Sequence, residues 1–215
     1  ARLPGAPAPA AARQPPAEIL LPPPGPAAER MALLRNQMAG CQRCGLAATR
    51  RHVVFGEGPL DPLLVFVGEG PGATEDERGV PFVGAAGALL DAIIERGMGL
   101  RREQIYITNV VKCRPPGNRD PSPEEVATCL PALRAQLEIL QPRVVVALGR
   151  VAAQALLDTD APLLRLRERW LELDGRPLRV TYHPAYLLRV PERKRQAWED
   201  IQAVMAKLGL RRPGR

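Results

Sequence analysis

The chain has 215 residues with a formal net charge of +7, and 46% of them are apolar. This length and composition predict one globular domain with a sizeable core, and no apolar stretch approaches the roughly 18 residues of a membrane-spanning helix. Only three of the 30 basic residues are lysines. The arginine excess suits a polyanionic partner or an anionic membrane surface, although codon bias would explain it equally well.

Residues 1–28 are mostly alanine, proline and glycine, which predicts a disordered or polyproline-like tail. Beyond the tail, over 29–210, helical and strand patterns alternate. In chain order they predict a helix over 29–39, a buried strand over 63–67, a helix over 84–97 that ends at Gly97, and a strand over 104–111. They then predict a helix that begins at Ser122 with a capping box to Glu125, a strand over 143–149 and a helix over 150–158. The last predicted elements are a hairpin turn at Asp174 and Gly175 and a helix over 192–208. This alternation predicts an α/β fold with a mostly parallel sheet between helices.

A glycine-rich, acidic segment, GEGPGATEDERGVPFVGAAG (68–87), directly follows the apolar strand over 63–67. The carboxyl end of a strand is where open α/β sheets bind ligands. The segment lacks the Gly-Lys-Ser/Thr of a phosphate loop, and it departs from a dinucleotide fingerprint because Gly72 stands one place early and Glu69 would face a pyrophosphate. We therefore expect a ligand less anionic than a phosphate, or a transition state that gains positive charge.

The four cysteines are Cys41, Cys44, Cys113 and Cys129, and the first two form a C-x-x-C pair. No signal peptide is recognised, so a reducing interior is expected, where thiols are more often ligands than disulfides. Zinc and an iron–sulfur cluster both accept four thiolates, and the spacing does not choose between them. Four unrelated buried cysteines are the alternative, which the polar surroundings of the first pair disfavour.

A third cluster of informative residues is VTYHPAYLLR, over 180–189. The residue before a proline is held in an extended conformation, so His183 is expected at a strand end, on the same edge of the sheet as Glu69. The other histidine, His52, is expected to be structural. The residues at 187–189 are predicted to lie on a loop: exposed, the leucines would form an apolar wedge beside a phosphate contact, and buried, they would belong to the core.

Three motifs of this chain resemble those of the family 4 uracil-DNA glycosylases, the iron–sulfur type found in many bacteria and archaea. They are GEGPGATEDERGVPFVG (68–84), YITNVVKCRPPGNRDPSPEE (106–125) and HPAYLLR (183–189). The four cysteines fit the family in order and spacing, and the likeness covers about 29–210. The resemblance implies a three-layer uracil-DNA glycosylase-like fold, with a short central mostly parallel sheet flanked by helices.

The resemblance also implies an activity, a cofactor and a partner. The activity is hydrolysis of the N-glycosidic bond of deoxyuridine in DNA, which leaves an abasic site. The cofactor is a [4Fe-4S] cluster, held by Cys41, Cys44, Cys113 and Cys129. The partner is uracil-containing DNA, with no membrane involved, and the protein is expected to be a cytoplasmic monomer associated with the nucleoid of a bacterium or archaeon.

Within the implied uracil pocket, each residue takes a role from the family. Phe82 would stack on the base, Asn109 would read its Watson–Crick edge, and His183 would reach its O2 atom. The wall of the pocket would come from three consecutive residues of the glycine-rich segment: Gly68, Glu69 and Gly70. The acidic segment would face a developing sugar cation and a water.

The resemblance further implies which residues contact DNA. The HPAYLLR motif would enter the duplex where the base leaves, through Leu187, Leu188 and Arg189. Asn118, in the second motif, is also expected at the DNA surface.

One departure from the best-known uracil glycosylases leaves the catalytic carboxylate open. Their first motif reads G-Q-D-P-Y, whereas this chain has Gly70 and Gly72 at the corresponding places. Glu69 or Glu75 would have to take over part of the role of the Asp and Tyr that this chain lacks. The other functions considered are a non-catalytic iron–sulfur DNA-binding protein, a related glycosylase for other deaminated bases, and an electron-transfer protein, which the cysteine spacing disfavours.

Overall fold

A five-stranded sheet lies between two layers of helices in the computed structural model, which describes residues 19–211. In chain order the strands are β1 (Leu64–Gly68), β2 (Tyr106–Asn109), β3 (Val144–Leu148), β4 (Leu171–Leu173) and β5 (Arg176–Thr181). Their spatial order is β2-β1-β3-β5-β4, and β4, at the edge, is antiparallel to β5 whereas the other neighbours pair in parallel. The predicted α/β fold is confirmed.

Helices connect the strands and cover both faces of the sheet. The α-helices are α1 (Ala27–Ala39), α2 (Ala73–Arg78), α3 (Ala85–Ala92), α4 (Pro123–Leu140), α5 (Arg150–Leu157), α6 (Leu163–Leu166), α7 (Pro184–Arg189) and α8 (Lys194–Leu208). Single 3₁₀ turns occupy Gly45–Ala48, Arg102–Gln104, Pro116–Asn118 and Pro191–Arg193. None of the helices within 19–211 is long and apolar enough to cross a membrane.

The internal strand β1 is buried on both faces, because its side chains alternate between two cores. Leu64 and Phe66 pack in the core that α3 and α8 cover, whereas Val65 and Val67 pack in the core that α1, α4 and α5 cover. A strand between two helical layers is apolar at every position, which is why the run LLVFV predicted it. The three-layer arrangement follows directly.

The predicted capping box at the start of α4 is confirmed. Ser122 Oγ accepts a hydrogen bond from the Glu125 N–H at 3.2 Å, and Glu125 Oε2 accepts one from the Ser122 N–H at 2.7 Å. The helix begins at Pro123 and continues to Leu140, and it carries Cys129 into the core.

The predicted helix end at Gly97 is wrong. At Ile93 the α-helix α3 passes into a π-helix (Ile93–Met98), which ends at Gly99 in the left-handed conformation (φ 71°). Gly97 lies inside this turn against the indole of Trp198, where a Cβ would come within 2.7 Å of a ring atom. Gly97 therefore serves packing, while Gly99 ends the helix.

The predicted hairpin turn at Asp174 and Gly175 is confirmed. Both residues have positive φ, 49° and 77°, as a two-residue turn between antiparallel strands requires. The turn brings β4 back along β5, pairing Leu173 with Arg176.

The boundary predicted at residue 28 lies too far along the chain. Residues 1–18 lie outside the described part, but Ile19 is buried in the main core. The Leu20 N–H donates to Gln37 Oε1 at 3.1 Å, and Gln37 Nε2 donates back to the Leu20 carbonyl at 3.0 Å. Residues from 19 onward are thus held against α1, because prolines that prevent a helix still allow an extended segment to pack.

Candidate active site

The carboxyl ends of β1, β2, β3 and β5 surround a cavity of about 650 Å³. The chain passes from β2, on one side of β1, to β3 on the other, so the cavity lies at the switch point where open α/β sheets bind ligands. Most of the predicted site residues line it together: Glu69, Gly70, Glu75, Phe82, Asn109, Asn118, His183 and Arg189.

Gly68 lies beneath the cavity, between the ring of Phe82 and the side chain of Asn109. It is paired in register with Asn109 across β1 and β2. A Cβ at this position would collide with Asn109 Oδ1 and lie 2.6 Å from Phe82 Cζ. Only glycine therefore allows the aromatic ring and the amide to meet at the floor of the site.

Asn109 presents an unused hydrogen-bond acceptor at this floor. The residue is 1% exposed, and its Oδ1 atom has no partner within the described part of the chain. A buried polar atom without a partner costs about 1–3 kcal/mol. A ligand with an N–H group in the cavity would satisfy this oxygen.

Phe82 is held in a left-handed backbone conformation, with φ 53°, which is uncommon outside glycine and marks functional sites. Hydrogen bonds fix the chain on both sides of it. Glu75 Oε1 accepts from the N–H groups of Val83 and Gly84 at 2.9 and 2.8 Å, and Arg102 donates to the carbonyl that precedes Phe82 at 2.6 Å. The ring orientation is therefore fixed before any ligand binds.

His183 faces this ring from the opposite strand end, with 5.6 Å between the ring centroids of His183 and Phe82. It is the residue before α7, and its Nδ1 accepts the N–H of Ala185 at 3.1 Å. Because Nδ1 is an acceptor, the proton of the neutral imidazole is on Nε2. His183 therefore offers an N–H donor from Nε2.

The environment keeps His183 neutral at physiological pH. Burial, followed by the positive charge of Arg189, lowers the pKa of His183 from 6.5 to about 4, and the charge of Glu75 opposes this shift only in part. A neutral imidazole can donate one hydrogen bond from Nε2 without carrying a buried charge.

Glu69 is the carboxylate with the most perturbed environment in the cavity. Burial, followed by the charge of Asp120, raises the pKa of Glu69 from 4.5 to about 7, while Arg150 and Arg189 act in the opposite direction. A carboxyl with a pKa near neutrality can exchange a proton with water under physiological conditions, as a general base must.

Comparison with known proteins assigns the chain to a family. The family model described as the uracil DNA glycosylase superfamily matches residues 55–202. The chain belongs to this superfamily. It is similar to the type-4 uracil-DNA glycosylase of Thermotoga maritima (47% identity, covering 81% of this chain and 92% of the relative) and to those of Pyrobaculum aerophilum (42%, 78% and 89%) and Archaeoglobus fulgidus (42%, 83% and 93%). Within the superfamily it belongs to the type-4 proteins, as its motifs predicted.

None of the four cysteines lines the cavity. Cys113 and Cys129 are buried in the core that α1 and α4 cover, and Cys41 and Cys44 pack against that core. Burial chiefly raises the pKa of Cys113 to about 12, and the charges of Cys129 and Cys44 contribute to the increase. These charge effects indicate that Cys44, Cys113 and Cys129 lie near one another.

Three N–H groups point at these sulfurs. Arg43 donates to Cys41 Sγ and Arg50 to Cys113 Sγ, both at 3.3 Å, and the N–H of Lys112 donates to Cys129 Sγ at 3.4 Å. Donors of this kind stabilise thiolates that ligate metal. Among residues 19–211, no group of three or more His, Cys, Asp or Glu side chains is placed to hold a single metal ion.

The motif HPAYLLR forms the short helix α7 where a loop was predicted. Leu187 is 1% exposed and packs with Tyr182 and Ala197, so it belongs to the core and does not form a wedge. Leu188 is 44% exposed and Arg189 is exposed beside it. Consecutive residues of a helix are rotated by about 100°, which places the two leucines on different faces of α7.

Asn118 is exposed at the cavity mouth in a left-handed conformation (φ 54°), and its Oδ1 accepts from Arg114 Nε at 2.7 Å. His52 is structural, as predicted. Its ring atom Nδ1 lies 2.8 Å from the main-chain oxygen of Asp76, and the main-chain N–H of His52 donates to the Asp76 carboxylate at 3.3 Å. It therefore ties its own segment to α2.

Some residues of the cavity mouth come from distant segments and were not predicted from the sequence. Arg150 and Asp120 form an ion pair of 2.6 Å there, and Leu164, on α6, is 68% exposed at the rim. Arg150 follows directly after β3, so the rule on carboxyl ends of strands would have found it. No pattern in the sequence indicates Leu164.

Proposed function

We propose that this protein is a uracil-DNA glycosylase, which hydrolyses the N-glycosidic bond of deoxyuridine in DNA and leaves an abasic site. The observation that carries the proposal is the unpartnered, buried Oδ1 of Asn109 on the cavity floor, beside the fixed ring of Phe82. The membership of the type-4 proteins supports the same conclusion.

The pocket fits uracil through stacking and one amide. A base inside a duplex must be flipped out, at a cost of a few kcal/mol, and stacking on an aromatic ring such as Phe82 returns roughly 1–3 kcal/mol. The Asn109 side chain can accept from the N3–H of uracil and donate to O4. Cytosine has an unprotonated N3 and an amino group at these places, so it would leave the amide mismatched.

Cleavage separates charge, and the two titratable residues face opposite ends of it. The departing uracil becomes anionic, and the Nε2–H of His183 would donate to its O2 atom as negative charge develops there. The sugar becomes cationic, and the carboxylate of Glu69 would stabilise it and accept a proton from the attacking water. The neutral His183 and the near-neutral pKa of Glu69 suit these roles.

Glu75 has a different role from Glu69 in this proposal. Its Oε1 atom is already engaged by the N–H groups of Val83 and Gly84. We therefore assign Glu75 to positioning Phe82, and the contact with sugar and water to Glu69.

The cysteine site fits a [4Fe-4S] cluster, with Cys41, Cys44, Cys113 and Cys129 as ligands. The support is the chemistry of the donor set: four thiols whose charges act on one another, three of them facing N–H donors. When bound, the cluster would supply structural cross-links. These cross-links would join the segment after α1, the segment after β2, and α4, three parts of the chain that are distant in sequence.

The DNA would lie across the cavity mouth, with Leu188 as the wedge and Arg189 as a phosphate contact. Both residues are exposed on α7, next to the cavity. The similar proteins come from bacteria and archaea, whose DNA lies in the cytoplasm, and we expect this protein to act there. That it acts as a monomer stays a prediction.

A labelled oligonucleotide with a single deoxyuridine tests the proposal. The protein should produce an alkali-labile site at that position and none at cytosine or thymine, in single-turnover reactions. Asn109→Asp, purified in parallel, controls for contaminating activity. Binding without alkali-labile sites would instead identify a non-catalytic DNA-binding protein, and faster release of hypoxanthine than of uracil would identify a glycosylase for another deaminated base.

A further inference from the structure

Lys112 is a fully buried lysine that neither the cavity nor the cysteine ligands account for. It is 0% exposed, between the end of β2 and Cys113. Its Nζ donates to Thr108 Oγ1 at 2.6 Å, to the main-chain oxygen of Asn109 at 2.8 Å, and to Gln136 Oε1 at 2.6 Å. Buried lysines are rare because an ammonium group is costly to desolvate, so this arrangement calls for a reason.

The partners of Lys112 are themselves fixed as acceptors. Gln136 Nε2 donates to the Phe55 carbonyl at 2.8 Å, which leaves its Oε1 directed at Lys112. The Thr108 hydroxyl can donate to Phe55 at 3.1 Å or to Gln136 at 3.2 Å, and in either case its lone pairs receive the lysine. Nζ of Lys112 is therefore surrounded by three acceptors, as many as a lysine side chain can bind.

The same residue connects the cysteine site with the cavity floor. The main-chain N–H of Lys112 donates to Cys129 Sγ at 3.4 Å, while its side chain reaches back three residues to the Asn109 carbonyl. Within the described part, no partner fixes Asn109 Oδ1 from the protein side. The orientation of the Asn109 side chain thus depends on how firmly its main chain is held.

We propose that Lys112 is a positioning residue, whose side-chain nitrogen, anchored by Gln136 on α4 and by Thr108, holds the main chain of Asn109 and thereby the amide that reads the base. The inference rests on the proposed function, because it concerns the same pocket. Displacement of a binding group by a fraction of an ångström is enough to weaken recognition. Loss of this anchor should therefore act on base binding and on cleavage, but little on DNA affinity.

Thr108→Val is the first test, because it removes one acceptor of Lys112 without changing the size of the side chain. Thr181→Val is its matched control: Thr181 also lies in a sheet strand and is 2% exposed, but its hydroxyl has no hydrogen-bond partner within the described residues. Thr108→Val should weaken binding of free uracil, measured by calorimetry, by about tenfold, and lower single-turnover cleavage similarly. Thr181→Val should change both by less than twofold.

Lys112→Met is the second test and should have the larger effect on both quantities. Affinity for an oligonucleotide with an abasic-site analogue should stay within about threefold, and iron content should be unchanged, which separates positioning from general damage. If Lys112→Met does not fold, the comparison of Thr108→Val with Thr181→Val still tests whether Lys112 positions Asn109. If both threonine variants cleaved at the rate of the wild-type protein and bound free uracil equally well, this inference alone would be overturned. If the wild-type protein itself did not cleave, the proposed function would be rejected.

Discussion

Gly149 and His183 lie so close that a Cβ at position 149 would come within 2.9 Å of His183 Cβ. Gly149 directly follows β3 and has φ 92°, and His183 follows β5, the neighbouring strand. The glycine is what allows the histidine to stand at the edge of the sheet with its ring turned to Phe82. The position of the imidazole therefore depends on a glycine at the end of the neighbouring strand.

We expect Gly149→Ala to lower cleavage more than its loss of stability explains. Gly175→Ala is the control, since Gly175 also has a positive φ (77°) but no atom within 4 Å of its missing side chain. Both variants should lose roughly 1 kcal/mol of folding stability from backbone strain. Only Gly149→Ala should lower single-turnover cleavage, by tenfold or more. Equal cleavage by the two folded variants would contradict the positioning of His183 by Gly149.

Substitutions of His183 and Asn109 should affect different steps, bond cleavage and base recognition respectively. If His183 stabilises the uracil anion as the bond breaks, His183→Ala should lower single-turnover cleavage at saturating enzyme by roughly tenfold to a thousandfold, as removal of one oxyanion donor does. DNA binding should change little. Asn109→Asp should instead change which base is accepted, with uracil losing most. Intact cleavage in both variants would mean that the site is assigned to the wrong residues.

The sequence predicted the scaffold well where one segment carries the whole signal. The strand LLVFV and the capping box of Ser122 and Glu125 are local patterns, and both are confirmed. The break of α3 into a π-helix was not predictable in this way, because Gly97 and Gly99 are equally plausible helix ends in the sequence. Packing of Trp198 against Gly97 distinguishes them, and that contact spans about a hundred residues.

The site was only partly predictable, for a similar reason. Glu69 and His183 follow recognisable strands, but two of the charges that act on the pKa of Glu69 come from other segments: Asp120 raises it and Arg150 lowers it. The separate faces of Leu187 and Leu188 depend on α7 being a helix. Pro184 occupies the first position of α7, after the capping residue His183. This is a helix-start signal that would have predicted a helix at this place.

The four cysteines should make the anaerobically purified protein brown, with about four iron ions per chain. Cys113→Ser should lose the visible absorption and most of its folding stability, because the link between the segment after β2 and α4 is broken. Iron content and the absorption spectrum check this. Stoichiometric zinc and a colourless protein would exclude the cluster while leaving the cavity unaffected.

Leu188→Ala should lower uracil excision from duplex DNA by roughly tenfold, since the wedge offsets part of the few kcal/mol of unstacking. Excision from single-stranded DNA should change little, because no base stack has to be opened. Leu33→Ala is the control, as Leu33 is 48% exposed on α1 and does not line the cavity. An equal loss on both substrates would exclude a wedge.

Arg189 should contribute to DNA affinity for any sequence. Each phosphate contact adds about 0.9 to the slope of log affinity against log salt, so Arg189→Ala should reduce that slope by about one. A salt slope near zero for the wild-type protein would mean that the arginine excess reflects codon bias and not DNA binding.

Stability should respond to His183 and Glu69 in opposite directions. The folded-state pKa of His183, about 4, lies below its ordinary value of 6.5, so the folded protein binds fewer protons than the unfolded chain between these pH values. The contribution of His183 to the free energy of unfolding is therefore present above pH 6.5 and is lost as the pH falls from 6.5 to 4. The folded-state pKa of Glu69, about 7, lies above 4.5, so its contribution is present below pH 4.5 and lost as the pH rises through 7. Denaturant unfolding of His183→Ala and Glu69→Gln across this range separates the two.

The pH dependence of cleavage should report Glu69 alone. Because Glu69 must be ionised to accept a proton from water, single-turnover cleavage should rise with pH around a midpoint near 7, with no second step at 6.5 from the neutral His183. Asp120→Asn should shift the midpoint to lower pH, because Asp120 raises the pKa of Glu69 and its loss frees Arg150, which lowers it. Glu69→Gln should remove the dependence along with most of the rate. A midpoint that Asp120→Asn leaves unchanged would show that another group controls the reaction.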